Sequence, residues 1–257
     1  MRDVITVVAR RAFRQCRVSP RVRRDALLVT GGVLAALLLA ELWALAHNPN
    51  LGQWVGRDYS LYMDATRRWI GGGSFYIPSE VAGPYPLTWG AILYPPQTLL
   101  LLVPFTILPW WLWYAIPTAI AVWIVWWQRP ALWGWVAIVA LMAGNPLEFL
   151  VYIVGTPTIW FVAFTALATR WPWTSALIGL KPSLAPFALV GIRDRRWWVV
   201  MAGFALIGGL LWPLTLDWVH VALNERGASW LYSLDNLWVL LVPVAAWASS
   251  TRRATGP

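Results

Sequence analysis

Residues 110–127 contain no charged side chain, and comparable apolar runs recur along most of the chain. Of the 257 residues, 59% are hydrophobic and only 12% are charged, whereas an ordinary soluble domain has about 25% charged residues. A soluble fold of this composition would lack the polar side chains that must cover its surface. The runs are continuous and do not alternate with polar residues, which favours helices. We therefore predict an all-α fold, a polytopic transmembrane helical bundle forming a single membrane domain.

The charge pattern predicts how this bundle is oriented. The net charge is +9, and arginines gather at the edges of apolar runs, in the tail 1–25 and again at 193–196. Basic residues near span ends mark the cytoplasmic side, and a basic tail suits anionic membrane lipids. We expect a multi-pass protein of the plasma (inner) membrane with both termini cytoplasmic and external loops at 47–96 and 215–235. No nucleic-acid partner is expected, because the charges do not line one soluble face.

The apolar runs predict about eight crossings, some of them short or interrupted by prolines. Residues 26–46 are long enough to span a bilayer, which favours an uncleaved first span over a signal peptide. The remaining predicted segments are 98–109, 110–127, 131–144, 148–169, 173–192, 197–214 and 236–249. Prolines interrupt the pattern within or beside the three segments from 131 to 192, so both one crossing and three crossings stay open there.

Within the first external loop, residues 60–70 predict a helix that ends at the glycines 71–73. One face carries apolar side chains, and Asp64 and Arg68 are spaced for an i,i+4 ion pair on the other. Such a helix is typical of the membrane interface. The residues predicted on its apolar side are Leu61, Tyr62, Ala65, Trp69 and Ile70.

Several kinds of chemistry are excluded by what the sequence lacks. Two histidines in different loops, His47 and His220, and the single Cys16 cannot assemble a zinc-type ligand cluster. No glycine pattern for binding a nucleotide occurs. We therefore expect no cofactor and no metal ligands, although a divalent metal requirement stays open.

The first loop and the segments after it resemble the C-type integral-membrane glycosyltransferases, specifically glycosyltransferase family 87. The resemblance covers roughly residues 26–200. Its matching residues are Asp58-Tyr59, Tyr62, Ala65, Gly72, Tyr76, Tyr94-Pro95-Pro96, Pro104, Pro109, Gly179-Leu180-Lys181-Pro182 and the Arg/Trp turn 193–198. Where the family has Gly followed by Gln or Asn, residues 155–158 read Gly-Thr-Pro-Thr.

The resemblance implies transfer of a mannose- or pentose-type sugar from a polyprenyl-phosphate carrier to a hydroxyl of a glycan or glycolipid acceptor on the external leaflet. Asp58 matches the catalytic position and would be the general base of an inverting reaction. Cations would then neutralise the departing phosphate. The candidates for phosphate or donor binding are Arg57, Arg67, Arg68, Lys181 and Arg226. The candidates for sugar or acceptor binding are Tyr59, Tyr62, Asp64, Tyr76, Trp89 and Tyr94.

Simpler roles compete with these. Asp58 could cap the helix that follows it, Arg67 and Arg68 could anchor to lipid phosphate, and Lys181 could snorkel to the membrane surface. At the level of the whole protein, the alternative is a non-catalytic lipid-carrier-binding, flippase or assembly protein, favoured by the altered segment 155–158. A proton-coupled transporter would have to rely on Glu41 and Glu148 alone.

Overall fold

The computed structural model describes residues 53–86, 91–144, 152–226 and 237–251, and six helical positions between residues 28 and 47. The described chain is mostly helical, which confirms the all-α prediction. The basic tail 1–25 lies outside the described residues, as do Trp89, Glu148 and, apart from those six positions, the predicted first span with Glu41.

Short and medium helices follow one another along the described chain. The α-helices are α1 (Arg57–Ile70), α2 (Pro78–Ala82), α3 (Leu99–Leu102), α4 (Leu112–Gln128), α5 (Leu132–Gly144), α6 (Thr158–Arg170), α7 (Ala185–Ala188), α8 (Arg195–Leu210), α9 (Trp212–Asn224) and α10 (Leu237–Ala248). The 3-10 helices are Pro96–Thr98, Val103–Thr106, Pro172–Leu180, Pro182–Leu184 and Leu189–Gly191. Two short strands, β1 (Tyr85–Pro86) and β2 (Glu225–Arg226), pair in parallel.

Helix α1 begins earlier in the chain than the predicted helix. It starts at Arg57, three residues before the predicted start, and ends as predicted before Gly71. The predicted Asp64–Arg68 pair is wrong: Asp64 pairs with Arg67, whose Nη1 lies 3.3 Å from the carboxylate. Arg68 instead turns toward the chain after the helix, where it donates to the carbonyl oxygens of Ser74 and Phe75.

Helices α4 and α6 run side by side in the same direction, which defines two ends of the described fold. At their beginnings the Trp113 indole donates to the Gly155 carbonyl oxygen over 2.8 Å. At their ends the Gln128 amide donates to the Thr169 hydroxyl. Arg129 directly follows Gln128 and Arg170 directly follows Thr169. We therefore call this second end of the fold the arginine end.

The predicted segment 148–169 is interrupted, as its prolines predict, and the break lies before Thr158. Gly155 has a φ of 71°, in the left-handed region, and Pro157 directly precedes α6. A regular helix cannot pass through this conformation, so α6 begins only at Thr158. Its first nine residues are buried, which places the beginning of α6 in the core.

Residues 172–191, which correspond to the predicted proline-interrupted segment 173–192, form a helical hairpin. The Ser175 hydroxyl donates to the Ala188 carbonyl oxygen over 2.7 Å and accepts from the Gly191 N–H over 2.9 Å, so the two limbs are tied together. Gly191 packs against the Pro172 carbonyl, which places both bases of the hairpin at the arginine end. Lys181 lies at the tip, where Pro182 prevents the first limb from continuing.

The predicted crossing 197–214 and the loop after it also differ from the structure. Helix α8 begins at the arginine end and ends at Leu210, and α9 turns away from it by 96°. The prediction of a loop over 215–235 is therefore wrong for residues 215–224, which belong to α9. Among the described residues, no single helix has both the length and the hydropathy for a membrane crossing; α8 and α9 meet that test only together, as a bent pair.

Candidate functional site

Asp58 lies in the first turn of α1, two residues after the glycine that precedes the helix. Gly56 is the N-cap with a φ of 67°, and its N–H donates to the Ile153 carbonyl oxygen over 2.8 Å. Asp58 is therefore not the N-cap that the simpler interpretation required. Its half-buried carboxylate instead interacts with the side chain of Thr156, on the turn before α6.

The turn at 155–158 packs against α1 and α4. Gly155 is buried, and a Cβ there would lie 3.0 Å from the Tyr59 Cβ and would collide with the Tyr114 hydroxyl. Glycine is the residue that tolerates both this crowding and a left-handed backbone, because it has no Cβ. The turn directs the Thr156 and Thr158 hydroxyls to the same side, with their oxygens 3.4 Å apart.

Lys181 reaches this turn from the tip of the hairpin. Its Nζ donates to the Thr158 hydroxyl over 3.0 Å and lies 6.0 Å from the centre of the Phe161 ring. The residue is only 2% exposed, so its amine does not snorkel to a surface. Its positive charge acts on the Asp58 carboxylate. The two threonines thus stand between a buried cation and the candidate base.

Burial and neighbouring charges act on Asp58 in opposite directions. Burial has the largest effect and raises the pKa of Asp58 above its ordinary value. The Arg57 guanidinium, the Thr156 hydrogen bond and Lys181 each lower this pKa, but together they do not cancel the effect of burial. A carboxylate with a raised pKa is a stronger base than an exposed one, which is the property that proton abstraction requires.

Of the predicted phosphate-binding cations, the structure brings Arg57 and Lys181 to Asp58. The Arg57 guanidinium also lies 4.7 Å from the Trp54 ring centre. Arg67 is directed toward Asp64 and the Thr106 carbonyl oxygen, and Arg226 lies in β2 opposite Pro86. For Arg67, Arg68 and Arg226 a phosphate-binding role stays a prediction that these contacts do not support.

The predicted sugar-stacking tyrosines support α1 from within the core. Tyr76 is fully buried and donates to the Tyr94 carbonyl oxygen over 2.8 Å, and the rings of Tyr62 and Tyr94 meet edge to face at 5.4 Å. Tyr59 is half-buried, with its hydroxyl 3.4 Å from the Phe105 carbonyl oxygen. Of these four, Tyr59 has part of its surface open beside Asp58.

Three residues of the site escaped the sequence analysis: Tyr114, Thr156 and Thr158. The sequence does carry a signal for the threonines, because residues 155–158 depart from the family pattern. Tyr114 lies within the predicted apolar run 110–127, and its sequence position gives no indication that its hydroxyl packs against Gly155.

No group of three or more metal-ligating side chains occurs in the part of the chain that the structure describes. Compared with protein-family models, curated proteins and solved structures, the chain has no significant match. The residues around Asp58 are therefore the feature from which a function can be inferred.

Proposed function

We propose that the chain is a polytopic membrane glycosyltransferase that moves a mannose- or pentose-type sugar from a polyprenyl-phosphate carrier to a hydroxyl acceptor. The observation that carries this proposal is the environment of Asp58: a half-buried carboxylate with a raised pKa, with Thr156 beside it and with the charges of Arg57 and Lys181 acting on it. Such an arrangement is suited to a general base near a departing anion.

In the proposed reaction the acceptor oxygen attacks the anomeric carbon and Asp58 takes the acceptor's proton. The bond between the anomeric carbon and the phosphate oxygen breaks, and the carrier phosphate leaves with the electron pair. A phosphate needs no proton in order to leave, so one carboxylate is sufficient and the anomeric configuration inverts. Arg57 supplies positive charge at the edge of the site, while buried Lys181 helps to keep Asp58 ionised until the acceptor arrives.

The arrangement of charge along the bundle supports an external position for Asp58. The Asp58 site adjoins the beginning of α6, and Arg170 is its last residue, about 20 Å away at 1.5 Å per residue. Arg193 and Arg195 lie near the same arginine end, because Gly191 packs against Pro172. If the arginine end is cytoplasmic, as the positive-inside rule predicts, Asp58 faces the opposite leaflet.

The outer surfaces of the helices support a membrane environment. Trp126, Val199 and Leu210 expose 75%, 71% and 74% of their surfaces, on helices whose other faces are packed. Large apolar side chains at this exposure suit contact with lipid better than contact with water. The broken helices of the hairpin are covered by protein around Lys181, the condition under which a bilayer tolerates them.

The decisive experiment replaces Asp58 by Asn and measures transfer from polyprenyl-phosphate mannose and from a polyprenyl-phosphate pentose, with the protein in liposomes. Asn keeps the shape of the side chain and cannot take a proton, so we expect transfer to fall by about 10²–10⁴-fold. Asp194→Asn is the matched control: Asp194 caps α8 at the other end of the fold, and Asn caps a helix equally well. Full activity of Asp58→Asn would refute the assignment.

One observation favours the non-catalytic alternative. Tyr62, Tyr76 and Tyr94 are enclosed in the core and present no open ring face for a sugar. A protein that only holds the carrier's phosphate would not need such a face. Wild-type protein that binds polyprenyl phosphate but transfers neither sugar to any offered glycan or glycolipid would select this alternative.

A further inference from the structure

Three tryptophans surround one arginine at the arginine end. The guanidinium carbon of Arg170 lies 4.2 Å from the ring centre of Trp127, 4.4 Å from that of Trp171 and 5.2 Å from that of Trp123. Within the described ranges, no carboxylate lies at ion-pair distance from Arg170. Stacking against ring faces holds the guanidinium in place and leaves its in-plane N–H groups available to an acceptor.

A second arginine lies at the same place. Arg129 follows Gln128, and Arg170 follows Thr169, so the Gln128–Thr169 hydrogen bond sets the two arginines side by side at the ends of α4 and α6. The backbone of Arg129 is held by Thr251, whose N–H and hydroxyl both donate to the Arg129 carbonyl oxygen, while its side chain is exposed. A phosphate accepts paired N–H bonds from guanidinium groups, so two arginines at adjacent helix ends suit such a ligand.

The surface around this pair is apolar. Trp126 is 75% exposed, Trp133 is 50% exposed and Trp123 is 49% exposed, and all three belong to α4 or α5 next to the two arginines. Indoles of this kind are typical of the level at which lipid headgroups meet acyl chains. A ligand that matches both the arginines and the exposed indoles has an anionic phosphate group attached to apolar chains.

We propose that Arg170 and Arg129, together with the indoles of Trp123, Trp127 and Trp171, form a binding site for the headgroup of an anionic phospholipid. The guanidinium groups bind the phosphate, and the indoles contact the glycerol and the first acyl carbons. The site lies at the opposite end of α6 from Asp58. It depends on the membrane embedding proposed above and is independent of sugar transfer, so transfer and lipid binding are measured separately.

The test is native mass spectrometry of the detergent-purified protein, titrated with phosphatidylglycerol and, separately, with phosphatidylcholine of the same acyl chains. We expect wild type to retain one phosphatidylglycerol in clear preference to phosphatidylcholine. Arg170→Gln removes a charge-assisted bond to the phosphate and should weaken phosphatidylglycerol binding roughly tenfold. Trp127→Leu keeps the arginine but removes the nearest ring, and should weaken binding by a smaller factor.

Arg195→Gln is the matched control, because Arg195 is an exposed arginine near the same end, at the first position of α8. It removes the same charge and should leave phosphatidylglycerol binding unchanged. Equal losses from Arg170→Gln and Arg195→Gln would mean diffuse attraction to a basic surface and would overturn the proposal. Displacement of the lipid by millimolar inorganic phosphate would also overturn it, since the site would then be one for small anions.

Discussion

Replacing Gly155 by Ala tests the geometry that brings the threonines to Asp58. Gly155 has a φ of 71°, and a Cβ at this position would collide with the Tyr114 hydroxyl and lie 3.0 Å from both the Tyr114 Cζ and the Tyr59 Cβ. Gly72, in the turn after α1, also has a positive φ, of 86°, but a Cβ there meets nothing within 4 Å. The two glycines share the backbone requirement and differ in crowding, so Gly72→Ala is the matched control.

The expected losses follow from these two terms. A left-handed alanine costs roughly 1–2 kcal/mol, and this is the whole cost at Gly72. Overpacking adds roughly 1–3 kcal/mol at Gly155, so the total there is about 2–5 kcal/mol. For a chain of this size, 1 kcal/mol corresponds to about 2–4 °C in Tm. Gly155→Ala should therefore lower the Tm clearly more than Gly72→Ala does.

The assay is thermal unfolding of the detergent-purified protein, followed by the fluorescence of its 22 tryptophans. Tyr114→Phe in the Gly155→Ala background removes the colliding oxygen and should recover part of the lost Tm, which a simple loss of helix propensity would not predict. Equal Tm losses for the two alanine variants, or no recovery on removing the hydroxyl, would contradict the packing described for this turn.

Three further predictions concern other parts of the fold. Lys181→Met removes a charge that lowers the pKa of Asp58, so the acidic limb of the pH–rate profile should move to higher pH; an unmoved limb would show that the two groups are not coupled. Gly191→Ala brings a Cβ onto the Pro172 carbonyl at the hairpin base and should cost about 1–3 kcal/mol in thermal unfolding, whereas Gly203→Ala, where a Cβ meets nothing within 4 Å, should be neutral or stabilising by roughly 0.5–1 kcal/mol. Burial raises the pKa of Glu80 above its ordinary value of 4.5, and among the described residues its Oε2 has no hydrogen-bond partner. Because the folded state then binds the proton more tightly than the unfolded state, this group's contribution to stability falls as the pH rises from 4.5 through the folded pKa. Glu80→Gln should therefore stabilise the protein at neutral pH and flatten the fall in Tm over that range; a Tm at neutral pH no higher than that of wild type would contradict this.

Features that depend on residues close together in the sequence were predictable. Helix α1 ends at Ile70, directly before the predicted glycines, and α4 occupies Leu112–Gln128, where an apolar run predicts a helix over 110–127. Helix α10 occupies Leu237–Ala248, within the predicted 236–249. In each case the length of the apolar run, its periodicity or a terminating glycine identifies the helix, because these signals act within a few turns of the chain.

The candidate site was predictable only in part. The resemblance singled out Asp58 and Lys181, two residues that the fold does bring to one place. Periodicity and spacing say nothing about how a lysine so far along the chain reaches an aspartate at the start of α1. That depends on the hairpin 172–191 and on the glycine turn before α6, which are products of packing.

Residue patterns by themselves determined that the chain is helical, where several helices end and which acidic residue follows the predicted first span. The tertiary structure alone decided that 172–191 doubles back, that Arg67 and not Arg68 pairs with Asp64, and that two threonines stand between Lys181 and Asp58. The physical reason is the range of the interactions: helix propensity is local, whereas the partner of a buried polar group is whichever group the packed fold delivers to it.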